Sequence, residues 1–571
     1  MTIAEPLQRP GSYWPSRLPL RLVVPSTTLW FNLEVSARRY PDKALYLYFG
    51  RSFSFGEVHA AAERLAGWLQ QAGVRAGDRV GLCLQNCPQY AIAFYAALRA
   101  DAVVVPINPM NRAEELRHCF ADAGIRLVIC AADIAAAVGA AIAALPAGER
   151  PLSSVVARYA DAMPDEREIA ADELPTQAML DWLRADLPMP DPGLGTRWYR
   201  WTDVVATEAV PGPHTRSADD LAILPYTSGT TGQPKGCMHS HRTLMHNAVG
   251  AGVWSGSGAE AVILGVVPLF HITGMIYGLH APVYSGATVV LMPRWDRELA
   301  GRLIERHRIS HWTCIPTMII DLLASPNCAC FDLSSLRHLS GGGAAMPQAV
   351  AERLQRDFGL TFAEGYGLTE TAAPTHANPP ERAKLQCLGI PIFGVDSRIV
   401  DPTTLRELPV GEVGEIVTHG PMIFDGYWRH PQATRDAFID IDGRRFFRTG
   451  DLGRVDSEGY FFITDRLKRM INASGYKVWP AEVETLLFRH PAIQEACVVS
   501  ARDPYRGETV KAVVVLRDEA KSCTTALDII AWARENMALY KVPREVEFVD
   551  SLPKSAAGKV MWRLLQERQS D

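Results

Sequence analysis

The chain has 571 residues, 48% of them hydrophobic and 21% charged, with a formal net charge of −5. That length is too great for one core and calls for several domains of a globular protein. The slight acidity, with no basic tract interleaved with aromatics, argues against a nucleic-acid-binding surface. No apolar run reaches the roughly 18–20 residues of a membrane span. The N-terminus lacks the apolar stretch of a secretory signal, and the eleven scattered cysteines show no zinc spacing, so the expected location is the cytoplasm.

In chain order, residues 78–84 read as a buried strand and 88–100 as a helix with Pro88 near its start. A strand at 102–108, a helix at 111–124 and a strand at 126–131 follow. This βαβαβ rhythm predicts a doubly wound parallel sheet. Residues 146–220 are rich in Pro, Asp and Arg with weak periodicity, and read as a long irregular excursion. Strand–helix alternation resumes from 236 to 380, with strands at 261–269, 287–293 and 309–316. From 388 to 464 short strands and Gly/Pro turns suggest a small β-rich module. The tail reads as a compact α+β domain whose helix at 480 opens with Pro480, Glu482 and Glu484. The expected architecture is therefore α/β: two doubly wound β/α subdomains plus a β-rich module over 1–467, and a small mobile α+β domain over 468–571.

The segment YTSGTTGQPKG at 226–236 carries four hydroxyls (Thr227, Ser228, Thr230, Thr231), three glycines and Lys235. Glycines let backbone N–H groups approach a phosphate, hydroxyls add donors, and the lysine adds a point charge. The pattern is not a Walker A loop, which needs Gly-x4-Gly-Lys-Ser/Thr running into a helix; here Pro234 precedes the lysine, lacks an N–H and biases Gln233 away from helix. The chain also defaults to arginine. It has ten lysines, and only Lys43, Lys235 and Lys384 precede position 468. Lysine is thus expected where a compact, flexible ammonium is needed.

Further blocks follow in order: PLFHITG at 268–274, SGGGAAM at 340–346, EGYGLTET at 364–371, FRTGDLG at 447–453, DRLKRMINASGYKVWPAEVE at 465–484 and PKSAAGK at 553–559. With 226–236 they resemble the adenylate-forming superfamily of acyl-CoA synthetases, adenylation domains and firefly-type luciferases, over roughly residues 35–571. The resemblance implies a ligase that joins a carboxylic acid to the α-phosphate of ATP, releases pyrophosphate, and passes the acyl group from AMP to the thiol of coenzyme A. Both halves bring anions together, so cations and N–H dipoles must offset the charge.

It also implies roles for particular residues. Lys559 bridges the carboxylate and α-phosphate, Lys235 serves the phosphate loop, and Glu370 holds Mg2+, a hard ion suited to carboxylate and phosphate oxygens. Thr369 bonds the α-phosphate, and His271 borders the acyl pocket. The nucleotide set comprises Thr227, Ser228, Gly229, Thr230, Thr231, Gly232, Gly342, Gly343, Ala344, Glu364, Gly365, Tyr366, Gly367, Asp451 and Arg466. Tyr366 covers adenine and Asp451 takes the ribose hydroxyls. Lys468 is the hinge about which the C-terminal domain rotates between half-reactions. Ser474, Gly475, Lys477 and Trp479 then serve the coenzyme A step. The cluster His239, His241 and His246 lacks a cysteine or carboxylate to complete a metal site and reads as structural.

Met275, Ile272 and Ile315 offer the acid no charged partner, which favours a medium- or long-chain fatty acid. An aryl acid of the benzoate or coumarate type is the near alternative. Others are a carrier-protein thiol in place of coenzyme A, luciferase-like oxygenation and, from a different class, a non-catalytic adenylate or acyl sensor. Peripheral membrane contact is compatible with the reading, and the oligomeric state is open.

Overall fold

The computed structural model describes residues 12–190, 196–227, 234–343, 346–466, 469, 471–473, 476–478, 480–503, 507–537, 539–554 and 560–569. The chain forms two compact units. One comprises Met1–Asp396 and His419–Arg445, the other Ser397–Thr418 and Phe446–Asp571.

The first unit contains two large sheets. In one, strands Leu221–Ile223, Val103–Pro106, Arg79–Cys83, Ile125–Ala131, Ser153–Ala157 and Arg197–Arg200 lie parallel in that order. The βαβ expectation holds here. Val103–Pro106 is buried throughout, and the helix Pro88–Arg99 buries every residue but Arg99, as a parallel sheet covered on both faces requires. Cys83, Val105, Phe120, Val128 and Ile142 share the core on one face.

The excursion expected over 146–220 is instead partly regular. Ser153–Ala157 and Arg197–Arg200 extend the sheet, and Gln177–Arg184 and Trp201–Val205 are helices. The strands are short, and Arg197–Arg200 (RWYR) is only partly buried, so neither gives a clear periodic signal. Trp68 meets Tyr199 edge-on, with ring centroids 5.0 Å apart, and helps to hold that edge strand.

In the second sheet, Phe362–Leu368, His338–Gly341, His311–Cys314, Val262–Gly265, Thr288–Leu291 and Ala44–Tyr48 run parallel in that order. Antiparallel strands Ala373–Ala377 and Arg51–Ser54 flank them.

The long strand Arg444–Val455, in the second unit from Phe446 on, pairs antiparallel with Gly414–His419 and Phe461–Arg466. A further sheet is built on Ile493–Asp503 and Gly507–Leu516. Val498, Val510, Ala512 and Val514 pack with Val483, Leu487 and Ile529 of the helices Pro480–Leu487 and Ala526–Asn536. Cys497, Val499, Val513 and Val515 pack with Leu552 and with Leu565 of the helix Trp562–Glu567. Alternate residues thus serve opposite faces, the period of a pleated strand.

All eleven cysteines are free thiols. Nine are buried, while Cys330 and Cys523 are exposed. No described helix is long and apolar enough to cross a membrane.

Candidate active site

Strand Lys235–Ser240 is the spine of the site in the first unit. It pairs antiparallel with Tyr226–Thr227, placing Lys235 opposite Thr227, and with Gly426–Tyr427, placing Cys237 opposite Tyr427. The helix Ala113–Ala123 pins both approaches to the intervening loop. Asp122 accepts the Tyr226 hydroxyl at 2.6 Å, and His118 Nε2 lies 2.9 Å from the Pro234 carbonyl. Ser228, Gly229, Thr230, Thr231 and Gly232 themselves lie outside the described residues.

Glu370 sits on a single turn, Thr369–Thr371, after the strand Phe362–Leu368. The next two residues are alanines in the left-handed region, Ala372 at φ +50° and Ala373 at φ +77°. A Cβ makes that conformation costly, so the surroundings must hold it. Asn247, fully buried on the helix His241–Ser255, turns its amide nitrogen to the carbonyls of Thr371, Ala372 and Pro374 at 3.3, 2.7 and 3.2 Å. His239 Nε2 bonds the Thr369 carbonyl at 2.7 Å, and the Phe424 N–H donates to the Glu370 carbonyl at 2.9 Å. The Tyr427 hydroxyl donates to Glu370 Oε1 at 2.8 Å, while the Lys235 ammonium lies 5.2 Å from the centre of the same ring. Lys235, Thr369, Glu370 and Tyr427 are all partly exposed.

Neighbouring glycines allow close backbone approach. A Cβ on Gly342 would stand 2.3 Å from the Gly365 carbonyl oxygen, and one on Gly367 would stand 1.9 Å from that of Ala373. Gly343 follows Gly342 at the end of the strand His338–Gly341. Tyr366 is half-buried, with its ring centre 5.7 Å from that of buried His376. Glu364 is buried, and its Oε1 accepts the N–H groups of Gln386 at 3.0 Å and Met346 at 3.4 Å. Burial pushes this carboxyl up to about 7, opposed by those two N–H bonds. The side chain therefore joins two loops beside the glycine-rich strand end.

The three histidines that follow Gly236 have separate partners. His239 holds Thr369, His241 Nδ1 accepts the Leu29 N–H at 3.2 Å, and His246 Nε2 bonds the Phe393 carbonyl at 2.9 Å. Burial lowers them to about 4, 3 and 4, so they are neutral at pH 7. His271, in contrast, is exposed. It caps the short helix Ile272–Met275, its Nδ1 accepting the Thr273 N–H at 3.4 Å. A π-helical turn, Ile276–His280, comes directly after, a geometry frequent at functional sites.

In the second unit Asp451 is buried on Arg444–Val455, opposite Arg466 in register. Its N–H donates to Thr449 Oγ1 at 3.1 Å. Arg448 grips buried Glu415 through two nitrogens, at 2.6 and 3.1 Å, and Glu415 also accepts the Gly450 N–H. These bonds shape the turn leading to Asp451. Lys477 pairs with Asn472 in a short antiparallel ladder. Ala344, Lys468, Ser474, Gly475, Trp479 and Lys559 lie outside the described residues.

No group of three or more metal-ligating side chains occurs among the described residues. A lone carboxylate such as Glu370 fits Mg2+ that arrives with phosphate oxygens, since that ion keeps waters and takes one or two protein carboxylates. Tyr427 and Asn247 escaped the sequence reading. Tyr427 lies on a two-residue strand, and Asn247 is one polar residue in a mostly buried helix, so neither carries a periodic or motif signal.

Two family models match the chain: the AMP-binding enzyme over residues 33–428 and the AMP-binding enzyme C-terminal domain over 482–559. The chain is 35% identical over 562 residues to a long-chain-fatty-acid–CoA ligase of Bacillus subtilis strain 168, covering 98% of this chain and 97% of the relative. It is also 35% identical over 529 residues to a feruloyl-CoA synthase of Amycolatopsis, covering 92% and 96%. Among solved structures, ATP-bound MatB from Rhodopseudomonas palustris superposes with a TM-score of 0.80 at 28% identity, covering 95% and 99% of the two chains. A Mycobacterium tuberculosis fatty acyl CoA synthetase gives 0.70 at 27%, covering 95% and 98%.

Proposed function

The chain belongs to the AMP-binding enzyme family and is an ATP-dependent acid–thiol ligase, and from that premise we propose that its acid is a medium- or long-chain fatty acid. The observation that carries this reading is the tract after His271. Residues 272–285 contain no Asp, Glu, Lys or Arg, and Ile272, Met275, Ile276 and Leu279 are buried there. Where the resemblance places the acyl pocket, such a tract favours an aliphatic chain and offers a polar acid no charged partner. The long-chain relative, matched almost end to end, supports the same reading.

In the proposed reaction Lys235 and the preceding loop hold the ATP phosphates. Glu370 presents a carboxylate for Mg2+, which when bound would screen phosphate charge. Thr369 donates to the α-phosphate, while Lys559 neutralises the approach of the acid. Asp451 orients the ribose. Rotation about Lys468 then exchanges Lys559 for the 474–479 segment, so that coenzyme A can displace AMP.

A second reading, an aryl acid, is favoured by the feruloyl-CoA synthase at equal identity. Pyrophosphate release with MgATP across acids from C2 to C18, benzoate and 4-coumarate, with and without coenzyme A, tests both. The expected result is coenzyme A-dependent turnover that peaks at one aliphatic length. A peak at 4-coumarate or benzoate overturns the fatty-acid assignment.

A further inference from the structure

We propose that Tyr427 is a positioning residue that sets the metal carboxylate and the phosphate lysine with the two ends of one phenol: its hydroxyl orients Glu370 and its ring face seats the ammonium of Lys235. The proposal rests on the reading of Glu370 as the Mg2+ carboxylate.

The register fixes the arrangement. Tyr427 lies opposite Cys237, and Lys235 is two residues from Cys237 on the same strand. Residues two apart share a face, so Lys235 and Tyr427 are diagonal cross-strand neighbours. The ammonium accordingly lies 5.2 Å from the ring centre, within the range of a cation–π contact. From the same ring the hydroxyl donates to Glu370 Oε1 at 2.8 Å. The backbone beneath is anchored too. The Tyr427 N–H donates to Thr434 Oγ1 at 2.9 Å, and the Trp428 N–H to the Gly236 carbonyl at 2.8 Å.

An ammonium and a carboxylate in a partly buried site attract one another strongly. Each must nevertheless face a polyphosphate and its metal. A phenol satisfies both without adding a net charge. The hydroxyl bond to Oε1 fixes the orientation of the carboxylate, in the manner of an outer-shell partner that orients a ligand.

The test uses the full chain and a non-hydrolysable ligand, α,β-methylene-ATP, whose binding is followed by calorimetry as Mg2+ is varied. Tyr427→Phe keeps the ring and loses the hydroxyl. It should need about tenfold more Mg2+ for half-maximal binding, with an unchanged melting temperature. Tyr427→Leu loses the ring as well and should also weaken binding at saturating Mg2+ by about three- to tenfold. Should it melt early, Tyr427→Met replaces it. Glu370→Gln is the control for the underlying reading. If E370Q raises the Mg2+ requirement and Y427F does not, the positioning role is overturned while Glu370 keeps its own. If E370Q leaves the requirement unchanged, the metal reading fails instead. If the leucine and phenylalanine variants behave alike, the Lys235 half is overturned.

Discussion

In the C-terminal unit, Val498 and Val510 pack toward one pair of helices while Cys497 and Val513 pack toward another element. Every side chain's place follows from its parity along the strand. At the Glu370 turn nothing is periodic. Two left-handed alanines are held by Asn247, and the turn before them by a histidine, a backbone N–H and a phenol drawn from distant parts of the chain. The first arrangement gains stability from area and tolerates substitution by volume. The second gains position from directional bonds and spends backbone strain to obtain it.

The largest expected effect is on the chemistry. Lys559→Ala should lower acid-dependent pyrophosphate release by about 10²–10³-fold, the range for removing one charge-stabilising donor, with coenzyme A transfer from preformed acyl-adenylate much less affected. Single-turnover assays of the two half-reactions separate the outcomes, and equal losses in both would contradict the role. Next comes packing. Leu487→Ala, in the fully buried core of the C-terminal unit, should cost about 2–5 kcal/mol and leave the KM for ATP unchanged in the folded fraction.

Asn247→Ala should cost less stability, about 1–3 kcal/mol from carbonyls left without their buried donor, yet raise the KM for ATP. Urea unfolding combined with steady-state kinetics tests this reversal. If both variants move KM in proportion to stability, the contrast between the two regions is lost.

Acid should separate the units as well. Fourteen of the fifteen histidines fall in the first unit, and burial depresses His239, His246, His280, His338 and His376 to between about 3 and 4. A depressed histidine contributes stability that is fully present above its unfolded value of about 6.5 and is lost as pH falls toward its folded value. Each such group costs at most about 1.4 kcal/mol per pH unit between 6.5 and 4. Hydrogen exchange should therefore show the first unit loosening before the second as pH falls from 7 to 5. Simultaneous loosening would refute the assignment. Smallest is Ala372→Gly, which relieves the left-handed strain but loses a buried methyl. A net gain of about 0–1 kcal/mol is expected in thermal melts.

The same contrast decides what could be read in the sequence. The strands at 79, 103 and 125, and the helix between the first two, were legible because apolar runs of fixed period report a fully buried sheet. Ser153–Ala157 and Arg197–Arg200 were not, since short strands with polar flanks look like loop. Lys235 was visible through the composition of its loop, and Thr369 and Glu370 through the resemblance of their motif to the family. What holds them was not. Asn247 lies 124 residues from Thr371 and Tyr427 lies 57 from Glu370, and contacts across such separations leave no local pattern.

The distribution of thiols has a practical consequence. Nine cysteines are shielded by the core, and burial raises several of them well above the ordinary thiol range, which keeps them unreactive. The two accessible ones, Cys330 and Cys523, fall one in each compact unit. The unmodified chain therefore offers a natural pair of attachment points for a donor and an acceptor dye. Energy transfer between them could follow any swing of one unit against the other through a catalytic cycle, with no cysteine added or removed.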